Sequence, residues 1–164
     1  MDQKNVMGKE HPLAHLLQII VILAFFLAWF FDSFILKFST EPVSSNPLGV
    51  RIVLFIIVFI LGFMLMGLAH KALFGMFIHG ERQETSTLVT TGIFAHVRNP
   101  MYLGIFLIFL AFILVTFSII SVIPWILIII LFNQMTNYEE KDLEKIFGEE
   151  YLEYKSRVPK WIPR

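Results

Sequence analysis

MYLGIFLIFLAFILVTFSIISVIPWILIIILF, residues 101–132, runs for 32 positions without a charged side chain. As one straight helix it would be about 48 Å long, well beyond the ~30 Å hydrocarbon core of a bilayer. Thr116, Ser118, Ser121 and Pro124 gather at its midpoint, where hydroxyls and a proline suit a turn. Two arms of about 16 residues, roughly 24 Å each, can cross a locally thinned bilayer. The stretch therefore predicts a tight helical hairpin that returns the chain to the side where it began.

Upstream lie two more apolar stretches, about Leu16 to Leu36 and Gly49 to Ala69, each long enough to span as a helix. Lys4 and Lys9 precede the first, which is longer than a signal-peptide core and lacks a small-x-small cleavage site, so it reads as a retained anchor. KFSTEPVSSNPLG between the two has the composition of a short surface loop. The whole chain agrees: 57% of its 164 residues are hydrophobic, 16% are charged, and mean hydropathy is +0.74. The fold expected is all-α and integral to the membrane, with about four transmembrane helices, the last two a short hairpin. It forms one domain over residues 1–164, in which 1–87 supply two spans and a linker and 88–164 supply the site.

Charge sets the orientation. In a four-span topology the N-terminus, residues 70–100 and the tail share one side, with eleven of the 13 Lys and Arg residues; the other side holds Lys37 and Arg51. That asymmetry places both termini on the cytoplasmic side, in a prokaryote the cytoplasmic membrane. Formal net charge is zero and there is no cysteine, so neither nucleic-acid binding nor thiolate chemistry is expected. No phosphate-binding glycine loop or nucleophile elbow occurs, and His70, His79 and His96 match no metal-ligand spacing. Asp32, near the far end of the first span, is expected to reach the outer interface.

The hairpin brings together two polar clusters, GIFAHVRNPMYLG (92–104) and NQMTNYEEKDLEKIFGEEYLEYKSRVPKWIP (133–163). Pro100 suits the first turn of a helix. Arg98 and Tyr102 read either as interfacial anchors or as ligand contacts. Glu139 and Glu140 read either as a solvated helix start or as a carboxylate pair that meets a cation. One guanidinium beside two carboxylates suits a zwitterionic, partly cationic ligand. EEYLEYKSR after Gly148 reads as a C-terminal interfacial amphipathic helix, with Leu143, Ile146, Phe147, Tyr151 and Leu152 as the candidate apolar face around it.

LVTTGIFAHVRNPMYLG (88–104), followed by the hairpin and EEKDLEKIFGEEYLEYKSRVPKWIP (139–163), resembles the isoprenylcysteine carboxyl methyltransferase family and its wider phospholipid methyltransferase-like superfamily. The resemblance implies S-adenosyl-L-methionine as methyl donor, with Arg98 and Glu139 catalytic and Arg98, Asn99, Tyr102, Gly104, Glu139 and Glu140 around the cofactor. Read from the residues alone, Tyr151, Tyr154 and Arg157 are candidate substrate contacts, with packing as the alternative. The acceptor implied is a lipid-like or prenylcysteine-type carboxylate that enters from the bilayer, with a phospholipid amine as the alternative. Asn99 stands where prenylcysteine enzymes have a histidine, and Asn133, Gln134 and Asn137 stand where they tend to carry a base before the acidic pair. A small transporter or structural membrane protein is the competing reading from another class. Transporters place ionisable groups near the midplane, whereas here they gather at one edge.

Overall fold

A computed structural model describes residues 12–40, 47–74 and 87–162. Lys4, Lys9, His79, Arg82, Arg164 and residues 41–46 of the first loop, all used in the sequence reading, lie outside these. The described residues form helices and no strand. They are α1 (Pro12–Phe30), continued by a π-helical turn (Phe31–Leu36), α2 (Leu48–Phe74), a 3-10 turn (Gly92–Ala95), α3 (Pro100–Thr116), α4 (Val122–Phe147) and α5 (Glu149–Arg157).

Leu16–Leu36 and Leu48–Leu73 are long and apolar enough to cross a membrane; Pro100–Thr116 is apolar but shorter. Ile19, Leu23 and Leu27 on α1 and Ile57, Ile60 and Phe63 on α2 stand exposed. Exposed apolar surface on this scale needs a non-aqueous environment.

Ring contacts fix the helix directions. Phe25 meets Phe109 at 4.6 Å and Trp29 meets Phe112 at 5.2 Å, so α1 and α3 run parallel. Phe59 and Phe55 both meet Phe112, while Gly62 lies beside Gly104, so α2 runs antiparallel to α3. Asp32 bonds to Ser118 just before α4 and Gln18 bonds to Met135 farther along it, so α4 runs antiparallel to α1. Indole N–H groups tie the bundle together. Trp29 donates to the Phe112 carbonyl at 2.8 Å, and Trp125 donates to the Phe106 carbonyl at 3.0 Å.

The hairpin turn falls at residues 117–121, inside the expected window. Phe117 closes α3 in the left-handed region at φ 55°, and Pro124 takes its place in the first turn of α4, where no intrahelical donor is lost. The arms are unequal, however. α3 has 17 residues, whereas α4 has 26 and continues unbroken through Asn133 to Phe147. Its apolar part ends at Phe132, and its last four turns are a polar extension.

Asp32 differs from expectation. It is buried at 1% exposure and accepts from the Ser39 backbone N–H at 3.0 Å, the Ser39 hydroxyl and the Ser118 hydroxyl at 2.6 Å. Ser118 in turn meets the Ser121 hydroxyl at 2.7 Å. These short donors satisfy the carboxylate where it lies and fasten the end of α1 to the hairpin turn.

Candidate functional site

At the opposite end of the bundle, the start of α3, the polar half of α4 and the chain after α5 converge. The glutamate pair sits in the interior of α4, so its two side chains project about 100° apart. Each finds a different partner on the segment around Pro100.

Glu140 is buried at 6% exposure and takes the guanidinium of Arg98 side-on, with Nη2 at 3.0 Å from Oε1 and 3.3 Å from Oε2, and Nε at 3.2 Å from Oε1. Asn99 Nδ2 approaches the same oxygen at 3.4 Å. The remaining Arg98 nitrogen, Nη1, donates to the carbonyls of Lys155 at 3.1 Å and Val158 at 2.5 Å. The Arg98 backbone N–H donates to the Pro159 carbonyl at 3.0 Å. Every guanidinium nitrogen is thus engaged by the protein, and Arg98 staples the chain after α5 to α4. Lys155 Nζ completes the network, 3.5 Å from Glu140 and 2.5 Å from Glu144; these bonds raise its pKa.

Glu139 is half-buried on the neighbouring face and accepts the Tyr102 hydroxyl at 2.5 Å. The Tyr102 ring lies 5.4 Å from Phe132, so this carboxylate stands at the edge of the apolar core.

Gly104 belongs to a different surface. A Cβ built there would come within 2.6 Å of the Gly62 carbonyl oxygen, and one on Gly62 within 2.7 Å of the Gly104 oxygen. The pair is the close crossing of α2 and α3, a small-residue contact of the kind that lets membrane helices approach.

α5 lies beyond the left-handed Gly148, φ 55°, which breaks it from α4. Tyr151 and Tyr154 are buried with Val158 against Leu88, Leu143 and Phe147, while Leu152 faces outward. Tyr154 donates to the Phe94 carbonyl at 2.8 Å and so anchors α5 to the 3-10 turn. Arg157 is exposed and pairs with Glu153 at 3.5 Å. The three residues expected beside a substrate thus divide into two packing tyrosines and a surface arginine.

Burial pushes the Tyr154 phenol up from 10 to about 12 and Tyr151 higher still. The folded chain keeps a proton on Tyr154 that the unfolded chain releases near pH 10. Its contribution to stability is therefore complete below pH 10 and is lost as pH rises through 12. The melting temperature in detergent is expected to fall across that window, and to fall less steeply for Tyr154→Phe.

Two side chains that the sequence reading counted only as tail charge or left unassigned complete the cluster. Lys160 Nζ donates to Asn137 Oδ1 at 2.6 Å and to the Asn133 carbonyl at 3.4 Å, and Trp161 Nε1 donates to Asn133 Oδ1 at 3.1 Å. Asn133, Asn137 and Glu140 recur at i, i+4 and i+7, a helical stripe visible in the sequence, but nothing in the pattern shows that the tail returns to it. Among the described residues no group of three or more His, Asp or Glu side chains is arranged to hold a metal ion.

Comparison with known proteins takes in the start of α3 and the acidic pair of α4. A family described as phospholipid methyltransferase matches residues 49–150. Human protein-S-isoprenylcysteine O-methyltransferase is 37% identical over 91 residues, 55% of this chain and 32% of that protein. The Schizosaccharomyces pombe protein of the same name is 33% identical over 91 residues, 55% of this chain and 39% of its own length. Methanethiol S-methyltransferase of Crocosphaera subtropica is 33% identical over 101 residues, 57% of this chain and 38% of the relative. The chain spans about a third of the length of the curated relatives it matches first.

Proposed function

The chain belongs to the phospholipid methyltransferase family, and from that premise we propose that it is an integral-membrane methyltransferase that uses S-adenosyl-L-methionine to methylate a lipid-like acceptor. The observation that carries the reading is the division of labour within the acidic pair. Glu140 is committed to Arg98, whereas Glu139 is held by a tyrosine hydroxyl at the edge of the apolar core.

The residues present fit the cofactor. A half-buried carboxylate at the edge of the apolar core favours a cationic group, and the cofactor offers an ammonium and a sulfonium. When bound, S-adenosylmethionine supplies a methyl group activated by the positive sulfur. Tyr102 donates to Glu139 and so fixes the direction in which its carboxylate points. Arg98, already saturated, orders the chain from Lys155 to Pro159 against α4, which closes one wall of the site; we assign it a positioning role. Asn99, beside Glu140, adds a neutral hydrogen-bonding group and does not titrate. With the acceptor oriented and water excluded, little further activation of a carboxylate or amine is needed.

In this reading four helices cross the bilayer, with α5 at the interface and the site and both termini on the cytoplasmic side, and the acceptor arrives sideways between helices. A prenylcysteine-type carboxylate is the first acceptor, in keeping with the isoprenylcysteine enzymes among the relatives. The family description keeps a phospholipid amine as the second. Purified protein with methyl-labelled cofactor separates them. Label on N-acetyl-S-farnesylcysteine released by mild base as methanol marks a methyl ester, and base-stable label on phosphatidylethanolamine marks N-methylation. No label on either would count against both acceptors. Glu139→Gln is expected to weaken cofactor binding about tenfold or more while the melting temperature stays close to the parent. Unchanged affinity would remove Glu139 from the site.

A further inference from the structure

Arg98 has no donor left for an anion, yet any ligand of this site brings one: the α-carboxylate of the cofactor, or the carboxylate or phosphodiester of the acceptor. A second cation must meet it. Lys155 already lies between two carboxylates. Lys160 is different, because its ammonium touches only neutral oxygens, Asn137 Oδ1 and the Asn133 carbonyl, and no carboxylate among the described residues.

The place of Lys160 follows from the chain around it. Trp161 is pinned by its bond to Asn133 and by packing on Phe106 at 5.3 Å, while the Pro159 carbonyl is held by the Arg98 N–H. The lysine between them is therefore delivered to a defined spot on α4. Its ammonium lies 5.4 Å from the Trp161 ring centroid. Asn137 precedes Glu140 by about 4.5 Å of helix rise, and Asn133 follows directly on Phe132, the end of the apolar run. Lys160 thus sits on the hydrocarbon side of the Arg98–Glu140 pair, the side from which a lipid-borne group enters. A half-buried ammonium beside neutral oxygens retains the capacity to attract an anion.

We propose that Lys160 is the cation of this site that receives the anionic group of a ligand, with the acceptor's carboxylate or phosphodiester as the group its position favours. Partial burial depresses its pKa, against the opposing pull of Glu140 and Glu139, which fits a cation within the field of both carboxylates. The inference rests on the methyltransferase reading and narrows it to acceptors that carry a negative charge next to the reacting atom.

The test compares the parent with Lys160→Gln, which keeps a donor for Asn137 and loses the charge, and with Lys160→Arg, which keeps the charge. S-adenosylmethionine affinity is read by calorimetry, and acceptor KM is read with N-acetyl-S-farnesylcysteine and, separately, with phosphatidylethanolamine vesicles. Lys160→Gln is expected to raise acceptor KM about tenfold or more with cofactor affinity unchanged, and Lys160→Arg to recover most of the loss. A loss of cofactor affinity instead, also recovered by arginine, would place the cofactor's carboxylate on Lys160 and sustain its anion-binding role. If Lys160→Gln matches the parent in both constants, or if arginine recovers nothing while the fold is intact, the proposal is overturned. A parent protein that neither binds the cofactor nor transfers a methyl group overturns the methyltransferase reading itself, a result distinct from failure of the lysine assignment.

Discussion

Arg98→Ala is expected to destabilise the protein by about 3 kcal/mol, because it leaves the buried Glu140 to the longer contacts with Lys155 and Asn99 and releases two carbonyls. Glu140 would lose three contacts from the guanidinium, and the carbonyls of Lys155 and Val158 would lose their donor. The melting temperature in detergent should drop sharply, and limited proteolysis should open new cuts between residues 155 and 162. Arg98→Lys should fall between parent and alanine, since one ammonium cannot span Glu140 and both carbonyls at once. Adding Glu140→Gln to Arg98→Ala should recover part of the loss, because the under-compensated buried charge is then gone. If alanine left melting and proteolysis unchanged, the staple would not be holding the tail.

Gly104→Ala gives the second large effect. Even a single methyl would lie 2.6 Å from the Gly62 carbonyl oxygen and 3.3 Å from the Met66 nitrogen, so α2 and α3 must separate. Overpacking of this kind costs about 1–3 kcal/mol, and Gly104→Leu should exceed that range. Gly62→Ala should act in the same direction. The double alanine should cost less than the sum, because either methyl alone forces the same separation. Melting curves of the three variants measure the coupling. Strict additivity, or a loss of cofactor affinity with no loss of stability, would return Gly104 to the ligand.

Much of this was legible before any coordinates. The uncharged run from Met101 to Phe132 announced the hairpin because its length exceeds one crossing and its hydroxyls and proline mark the turn. The return of the chain then placed the segment around Pro100 near the acidic pair. What the sequence left open was partnership. Adjacent glutamates look equivalent in a string, and only the helical rotation about α4 sends one to Arg98 and the other to Tyr102. Gly104 reads as a motif glycine, yet its lack of a side chain serves a helix on the far side of α3. Tyr151 and Tyr154 share the spacing of a recognition surface and of a packing face alike, and both lie buried against Leu88, Leu143 and Phe147. Lys160 and Trp161 followed a proline in a short irregular tail, where no periodicity predicts contacts. Asp32 was read by depth alone, without the serines that meet it from a loop and from the hairpin turn.

The most direct measurement is a calorimetric titration of S-adenosylmethionine into the purified parent protein and into Glu139→Gln, both reconstituted in lipid. One binding site per chain in the parent, with affinity lowered about tenfold or more in the variant, is the expected result. Absence of binding to a folded parent would contradict the claim that α3, α4 and the tail enclose a site for this donor.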